Sequence, residues 1–140
     1  MRLRTLLGHI TEAEGAGDLS GSSPVFAVVR NEAAELDSPE AWDAISIVGL
    51  EVDAEDGSVD LIADASDDAR DITVASLRGR VSRLPKDSLE RDVFVELLGQ
   101  PSDASGHRDS IPVVEEYGDE NGLGLMVLFD GYEDWLQSVS

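Results

Sequence analysis

The sequence predicts an α+β fold built as a tandem duplication of one α-β-β-β unit. Two short amphipathic stripes each precede a run of strands, and each run contains a hairpin signal, Asp56-Gly57 in the first and Asn121-Gly122 in the second. The strands are expected to form mostly antiparallel sheet, as one sheet or several, with the helices packed on one face. The units are predicted at residues 1–66 and 67–140, together forming one compact pseudo-symmetric domain.

The first unit opens with a short helix. Leu3, Leu6 and Ile10 recur at the spacing that places apolar side chains on one face of a helix. Residues 11–23 are rich in Gly, Ser and Asp and predict a surface loop. The apolar runs that follow predict three strands, at Pro24–Val29, Ile45–Val52 and Val59–Ala63.

The second unit repeats this order. Val74, Leu77 and Val81 form a second helical stripe, in which Leu77 and Val81 align with Leu6 and Ile10 of the first. Three strands are again predicted, at Asp92–Leu97, Ile111–Glu116 and Leu125–Phe129. Both hairpins are expected to use type I′ turns, which need positive φ at both central residues. A single unit would bury little surface, so two units sharing a core are favoured.

Composition excludes several classes of function. The 140 residues contain no cysteine, which rules out disulfides, thiolate catalysis and Cys-ligated metals. The basic and apolar start at Met1–Leu7 is too short for a signal segment, so the chain is predicted to be cytoplasmic and without membrane contact. With 30 acidic and 10 basic residues the formal net charge is -20, which argues against direct binding to nucleic acid.

Motifs for catalysis are lacking in the sequence. His107, Asp109 and Ser110 are the residue types of a hydrolase triad, but neighbours in sequence do not have triad geometry. There is no phosphate-binding glycine loop. The acidic hairpin around Gly57 fails the EF-hand pattern, because position one of the loop would be Val52. We therefore predict no enzyme activity, no cofactor and no metal site.

The acidic residues are unevenly distributed. Every charged residue from 31 to 69 and from 109 to 140 is acidic, and both stretches contain a predicted hairpin. A surface of one sign steers a partner of the opposite sign. The candidate partner-binding residues are Glu51, Asp53, Glu55, Asp56, Asp60, Glu115, Glu116, Asp119 and Glu120.

Three aromatic residues are candidate anchors for a partner, namely Trp42, Tyr132 and Trp135, because aromatic side chains are enriched at binding hot spots. Alternatively, Trp135 folds back to cap the sheet.

One local exception to the acidity runs from Arg70 to Arg91 and holds most of the basic residues. These are expected to pair with acids elsewhere on the protein.

The function predicted from these patterns is a non-catalytic acidic binding or inhibitory protein. Its partner would be basic, such as a nuclease or another nucleic-acid-handling protein. The alternative is an acidic α+β domain from a salt-adapted or high-GC host, which self-associates or serves as an adaptor with no role connected to nucleic acid. A homodimer stays open if the sheet has a free edge.

Overall fold

Six strands close into a barrel in the computed structural model of the chain, which describes residues 1–30, 42–52, 57–64, 66, 68–98 and 110–127. Two α-helices and a 3₁₀ helix accompany these strands. In chain order the elements are α1 (Leu3–Gly15), β1 (Val25–Arg30), β2 (Trp42–Val52), β3 (Val59–Asp64), α2 (Val74–Val81), the 3₁₀ helix (Lys86–Glu90), β4 (Val93–Leu97), β5 (Ser110–Asp119) and β6 (Gly122–Val127).

The strands follow chain order around the barrel, and β6 closes back on β1. The β1–β6 and β3–β4 pairs are parallel, whereas the other neighbouring pairs are antiparallel. Each described strand has a neighbour on both sides, so these strands offer no free sheet edge of the kind considered for a homodimer. In a closed ring of this order, β2 and β5 lie on opposite sides of the barrel.

The predicted α+β fold, with helices packed on one face of a mostly antiparallel sheet, is wrong. Three antiparallel strands leave two edges with unpaired N–H and C=O groups, and the two parallel pairs satisfy these edges by closing the ring. Alternating apolar residues show which face of a strand is buried but not which edges meet. The tandem duplication is not supported either, since the strands form one closed sheet around one core.

The core occupies the barrel interior. In β1, Val25, Ala27 and Val29 are fully buried, and the pattern of alternate buried apolar residues recurs in β4. The same cluster includes the buried faces of both helices. Among the described residues, the helices are too short and too polar to cross a membrane.

Both helices are attached at one end of the barrel. The amide of Leu3 donates to the carbonyl of Arg91 just before β4 (2.9 Å), and the amide of Val74 donates to Ser23 just before β1 (2.9 Å). The N-terminus of α2 is capped by Thr73, whose hydroxyl accepts the amide of Ser76 at 3.1 Å. α1 is longer than expected, because it continues through residues 11–15 of the predicted loop as far as Gly15.

The turn between β5 and β6 differs from the type I′ prediction. Among the described residues only glycines have positive φ, so Gly122 adopts it (φ 127°) but Asn121 does not. Instead, Asp119 Oδ1 accepts the amide of Asn121 at 2.8 Å, which is an Asx turn. A side chain at Gly122 would also collide with the carbonyl of Pro24, so this glycine allows β6 to approach the start of β1.

A second glycine seats an aromatic pair on the outer wall of the barrel. Gly124 lies between Tyr117 of β5 and Phe26 of β1. The two rings meet edge to face, with centroids 6.4 Å apart. A Cβ on Gly124 would lie 2.5 Å from Cζ of Tyr117, so the ring occupies the space that a side chain would fill.

Substituting Gly124→Ala should destabilise the protein by about 1–3 kcal/mol, because the added methyl displaces the Tyr117 ring. Gly8→Ala is the control, since Gly8 lies in α1 with open space around its Cα. That change should stabilise the protein by about 0.5–1 kcal/mol. Urea unfolding of the two variants measures both effects, and a neutral Gly124→Ala would contradict the close packing of Tyr117.

Candidate functional site

The predicted acidic residues that the structure describes lie at different places on the barrel. Glu51 is exposed on β2, on the opposite side of the barrel from Glu115, which is exposed on β5. Asp60 on β3 is only 5% exposed, so it contributes little to the charged surface. Asp119 and Glu120 lie at the end of β5 and in the turn that follows.

Other candidates fall where placement is not described. Asp53, Glu55, Asp56, Tyr132 and Trp135 lie outside the described residues. The backbone of Trp42 begins β2, but the position of its side chain is not among those that the structure describes. The roles predicted for these residues stay predictions.

One predicted residue, Glu116, lines a groove between α1 and β5. The groove has a volume of about 450 Å³. Its walls come from the second half of α1, the turn after it, β5 and the start of β6. The lining residues are His9, Glu12, Ala13, Ala16, Asp18, Leu19, Glu116, Tyr117, Gly118 and Leu123, and we call this feature the α1–β5 groove.

The turn after α1 shapes one wall of the groove. Gly17 has φ 84°, a left-handed conformation that suits glycine and reverses the chain. The amide of Asp18 then donates to the carbonyl of Ala13 at 2.9 Å. Leu19 packs onto Gly118, where a Cβ would lie 2.8 Å from Cγ of Leu19. The groove therefore depends on a glycine in the turn and a second glycine in β5.

A His–Glu contact joins the helix to the strand. Nδ1 of His9 lies against Oε1 of Glu116, and the contact is an ion pair when the imidazole is protonated. The Glu116 side chain is 13% exposed and that of His9 is 45% exposed, so the carboxylate lies at the deeper position. An ion pair at such a half-buried position is screened less than one on the open surface.

The charge of the groove is negative. Glu12, Asp18 and Glu116 supply three carboxylates, and His9 supplies an imidazole. Within the described part of the chain, no cluster of three or more His, Asp or Glu residues is placed to hold a metal ion. The three carboxylates come from α1, from the turn after it and from β5, and carboxylates can pair with the N–H groups of an organic cation.

Tyr117 contributes an aromatic surface at the groove. Burial, and secondarily the negative charge of Asp119, raise the pKa of Tyr117 above its ordinary value of 10.0. The phenol therefore stays protonated at neutral pH and can donate a hydrogen bond to a bound group. An aromatic face beside carboxylates also favours an organic cation.

Sequence reasoning selected Glu116 but missed His9, Glu12 and Asp18. His9, Glu12, Ala13 and Ala16 recur at helical spacing and so share one face of α1. That spacing could have identified a polar helix face containing small residues. It could not have shown that β5 lies opposite, because that placement depends on closure of the barrel.

The predicted pairing of the basic residues holds only in part. Arg78 pairs with Glu14 and donates to the Thr11 hydroxyl at 2.9 Å, which ties α2 to α1. Arg80, Arg83 and Lys86 are exposed, and within the described part of the chain none of them has an acid within ion-pair distance.

Comparisons with known proteins give no relative: no family model matches the chain, and neither a curated protein nor a solved structure matches it.

The stability of the protein should fall as the pH rises through about 10, because the folded state holds the Tyr117 proton more tightly than the unfolded chain does. Tyr117→Phe removes that proton, so its free energy of unfolding should decline less over the same range. Urea unfolding of both proteins between neutral pH and strongly alkaline pH measures the difference. Parallel declines would contradict a raised pKa for this residue.

Proposed function

We propose that the chain is a non-catalytic binding protein whose partner is basic, and that it inhibits a nuclease or another nucleic-acid-handling protein. The observation that supports this most directly is the α1–β5 groove, in which Glu12, Asp18 and Glu116 line a cleft of about 450 Å³. Carboxylates bind a guanidinium through paired hydrogen bonds, which makes arginine the best-matched guest.

The low exposure of the Glu116 side chain favours the binding of a basic side chain in the groove. An exposed ion pair contributes roughly 0–1 kcal/mol, because water and salt screen it. Glu116 is 13% exposed and already faces a cation-forming side chain, His9. A basic side chain that pairs with Glu116 would therefore gain more binding free energy than one that pairs with Glu12 or Asp18, which are exposed at the rim of the groove.

Neighbouring acids extend the binding surface along the same side of the barrel. Asp119 and Glu120 lie at the end of β5 and in the turn after it, close in the chain to Glu116, whereas Glu115 points to the opposite face of β5 from Glu116. Glu51 lies on the far side and is not part of this surface. We infer that a partner approaches the β5 wall and inserts a basic side chain into the groove.

The charge of the whole chain supports the choice of partner. A net charge of -20 attracts surfaces that have evolved to bind phosphates, and it accelerates their encounter at low salt. Nucleases and other nucleic-acid-handling proteins carry such surfaces.

The first experiment is capture of partners from a lysate of the source organism at low salt and at about 0.5 M salt, where the Debye length is roughly 4 Å. A retained protein is identified and purified, and its affinity is measured by calorimetry. The proposal expects a basic nucleic-acid-handling protein that is bound at low salt and released at high salt. Capture of no basic protein in either condition would contradict it.

The groove is then tested by a triple variant, Glu12→Gln, Asp18→Asn and Glu116→Gln. The matched control is Glu51→Gln, Asp71→Asn and Asp87→Asn, which removes the same charge from exposed positions outside the groove. The groove variant should lose at least about tenfold in affinity for the partner, since two exposed interactions of less than about 1 kcal/mol each and the stronger interaction of Glu116 are removed. The control should change the affinity by less than about threefold. Equal losses of affinity in the two variants would contradict a role for the groove and show that binding depends only on the net charge.

A further inference from the structure

A second cavity lies at the same end of the barrel, where the start of α1 meets the end of α2 and the 3₁₀ helix. Its volume is about 190 Å³, which corresponds to roughly six water molecules at about 30 Å³ each. Its apolar walls come from Leu3, Val81, Leu84 and Leu89, and its polar groups include Ser88 and Lys86. We call this feature the 3₁₀ cavity.

Ser88 is the unusual member of this lining. It is 4% exposed, yet within the described part of the chain its hydroxyl has no hydrogen-bond partner. Its backbone is satisfied, because the amide donates to Pro85 (3.0 Å) and the carbonyl accepts from Arg91 (3.1 Å). A buried hydroxyl without a partner is costly, so a hydroxyl in this position indicates that a bound group completes the hydrogen bond.

Lys86 supplies a charge at the same cavity. Its ammonium is exposed and has no ion-pair partner among the described residues. In a chain of net charge -20, a cation without an acidic partner among the described residues marks a place that can accept an anion.

The apolar walls, the Ser88 hydroxyl and the Lys86 ammonium match a ligand with an apolar chain and an anionic group. We propose that the 3₁₀ cavity binds a short-chain carboxylic acid, whose alkyl chain lies among Val81, Leu84 and Leu89 and whose carboxylate accepts hydrogen bonds from Ser88 and Lys86. Apolar walls with a few placed polar groups are the usual construction of a small-molecule site. The volume limits the ligand to a small molecule, and the positive rim selects an acid over an amine.

The net negative charge of the protein opposes the binding of any anion at long range. At about 0.15 M salt the Debye length is about 8 Å, so distant carboxylates are largely screened. Lys86 at the rim is then the charge that the ligand meets. Binding is therefore measured at that ionic strength.

Titration with sodium hexanoate, followed by the backbone amide signals in ¹H–¹⁵N NMR spectra, tests the proposal. The expected result is saturable shifts confined to the cavity residues, among them Leu3, Val81, Leu84 and Ser88. 1-Hexanol should bind more weakly than hexanoate, and hexylammonium should bind most weakly. No saturable shifts at the cavity would overturn the proposal, as would equal affinity for the three probes, which would indicate an apolar cavity with no preference for acids.

Two variants and one control assign the roles of the polar groups. Lys86→Gln should weaken hexanoate binding about two- to fivefold, whereas Arg83→Gln, which removes the same charge outside the lining, should leave it nearly unchanged. Ser88→Ala should weaken binding about fivefold, yet it should maintain or raise the Tm of the ligand-free protein, because it removes an unpartnered hydroxyl. A lower Tm without any loss of binding would show that Ser88 is structural and would overturn its role as a ligand donor.

Discussion

Parallel pairing of β1 with β6 and of β3 with β4 is the constraint on which the rest of the structure depends. These two pairs turn two sets of antiparallel strands into a ring without edges, and they place the starts of β1, β3, β4 and β6 at the same end. Both helices attach at that end through amides at their first turns. The α1–β5 groove and the 3₁₀ cavity are consequences of that placement, because each forms where a helix meets the rim of the barrel.

The two features have opposite charge preferences although they lie at the same end. The groove is lined by Glu12, Asp18 and Glu116, while the cavity has Lys86 at its rim. Helix α1 takes part in both, with Leu3 in the cavity and His9 in the groove. Salt screens charges beyond about 8 Å under physiological conditions, so each feature presents its own local charge despite the strong net acidity.

The sequence contained enough information to locate the helices and strands but not to assemble them. Helical periodicity identified the faces of Leu3, Leu6 and Ile10 and of Val74, Leu77 and Val81, all of which are buried. Which strand edges pair is a non-local property, and the alternation of apolar residues is the same for an open sheet and for a barrel. That ambiguity led to the wrong fold class.

The same non-local dependence limited the prediction of the site. Acidic runs in the sequence suggested one negative surface, but closure places Glu51 and Glu115 on opposite walls and buries Asp60. Asp119 was chosen for its charge, and it also accepts the amide of Asn121 in the turn. His9 and Asp18 gained significance only through the contact between α1 and β5. Local signals therefore identified chemistry, whereas the fold determined which groups act together.

Closure between β1 and β6 also bears on how the chain acquires its structure during synthesis. The first strand to leave the ribosome pairs with the last of the six described strands, so its outer edge stays unpaired until β6 has emerged. Contacts between distant segments make closure slow, and an exposed strand edge invites pairing with other chains in the meantime. The dense acidity of the intervening segments keeps nascent chains apart by repulsion during that interval.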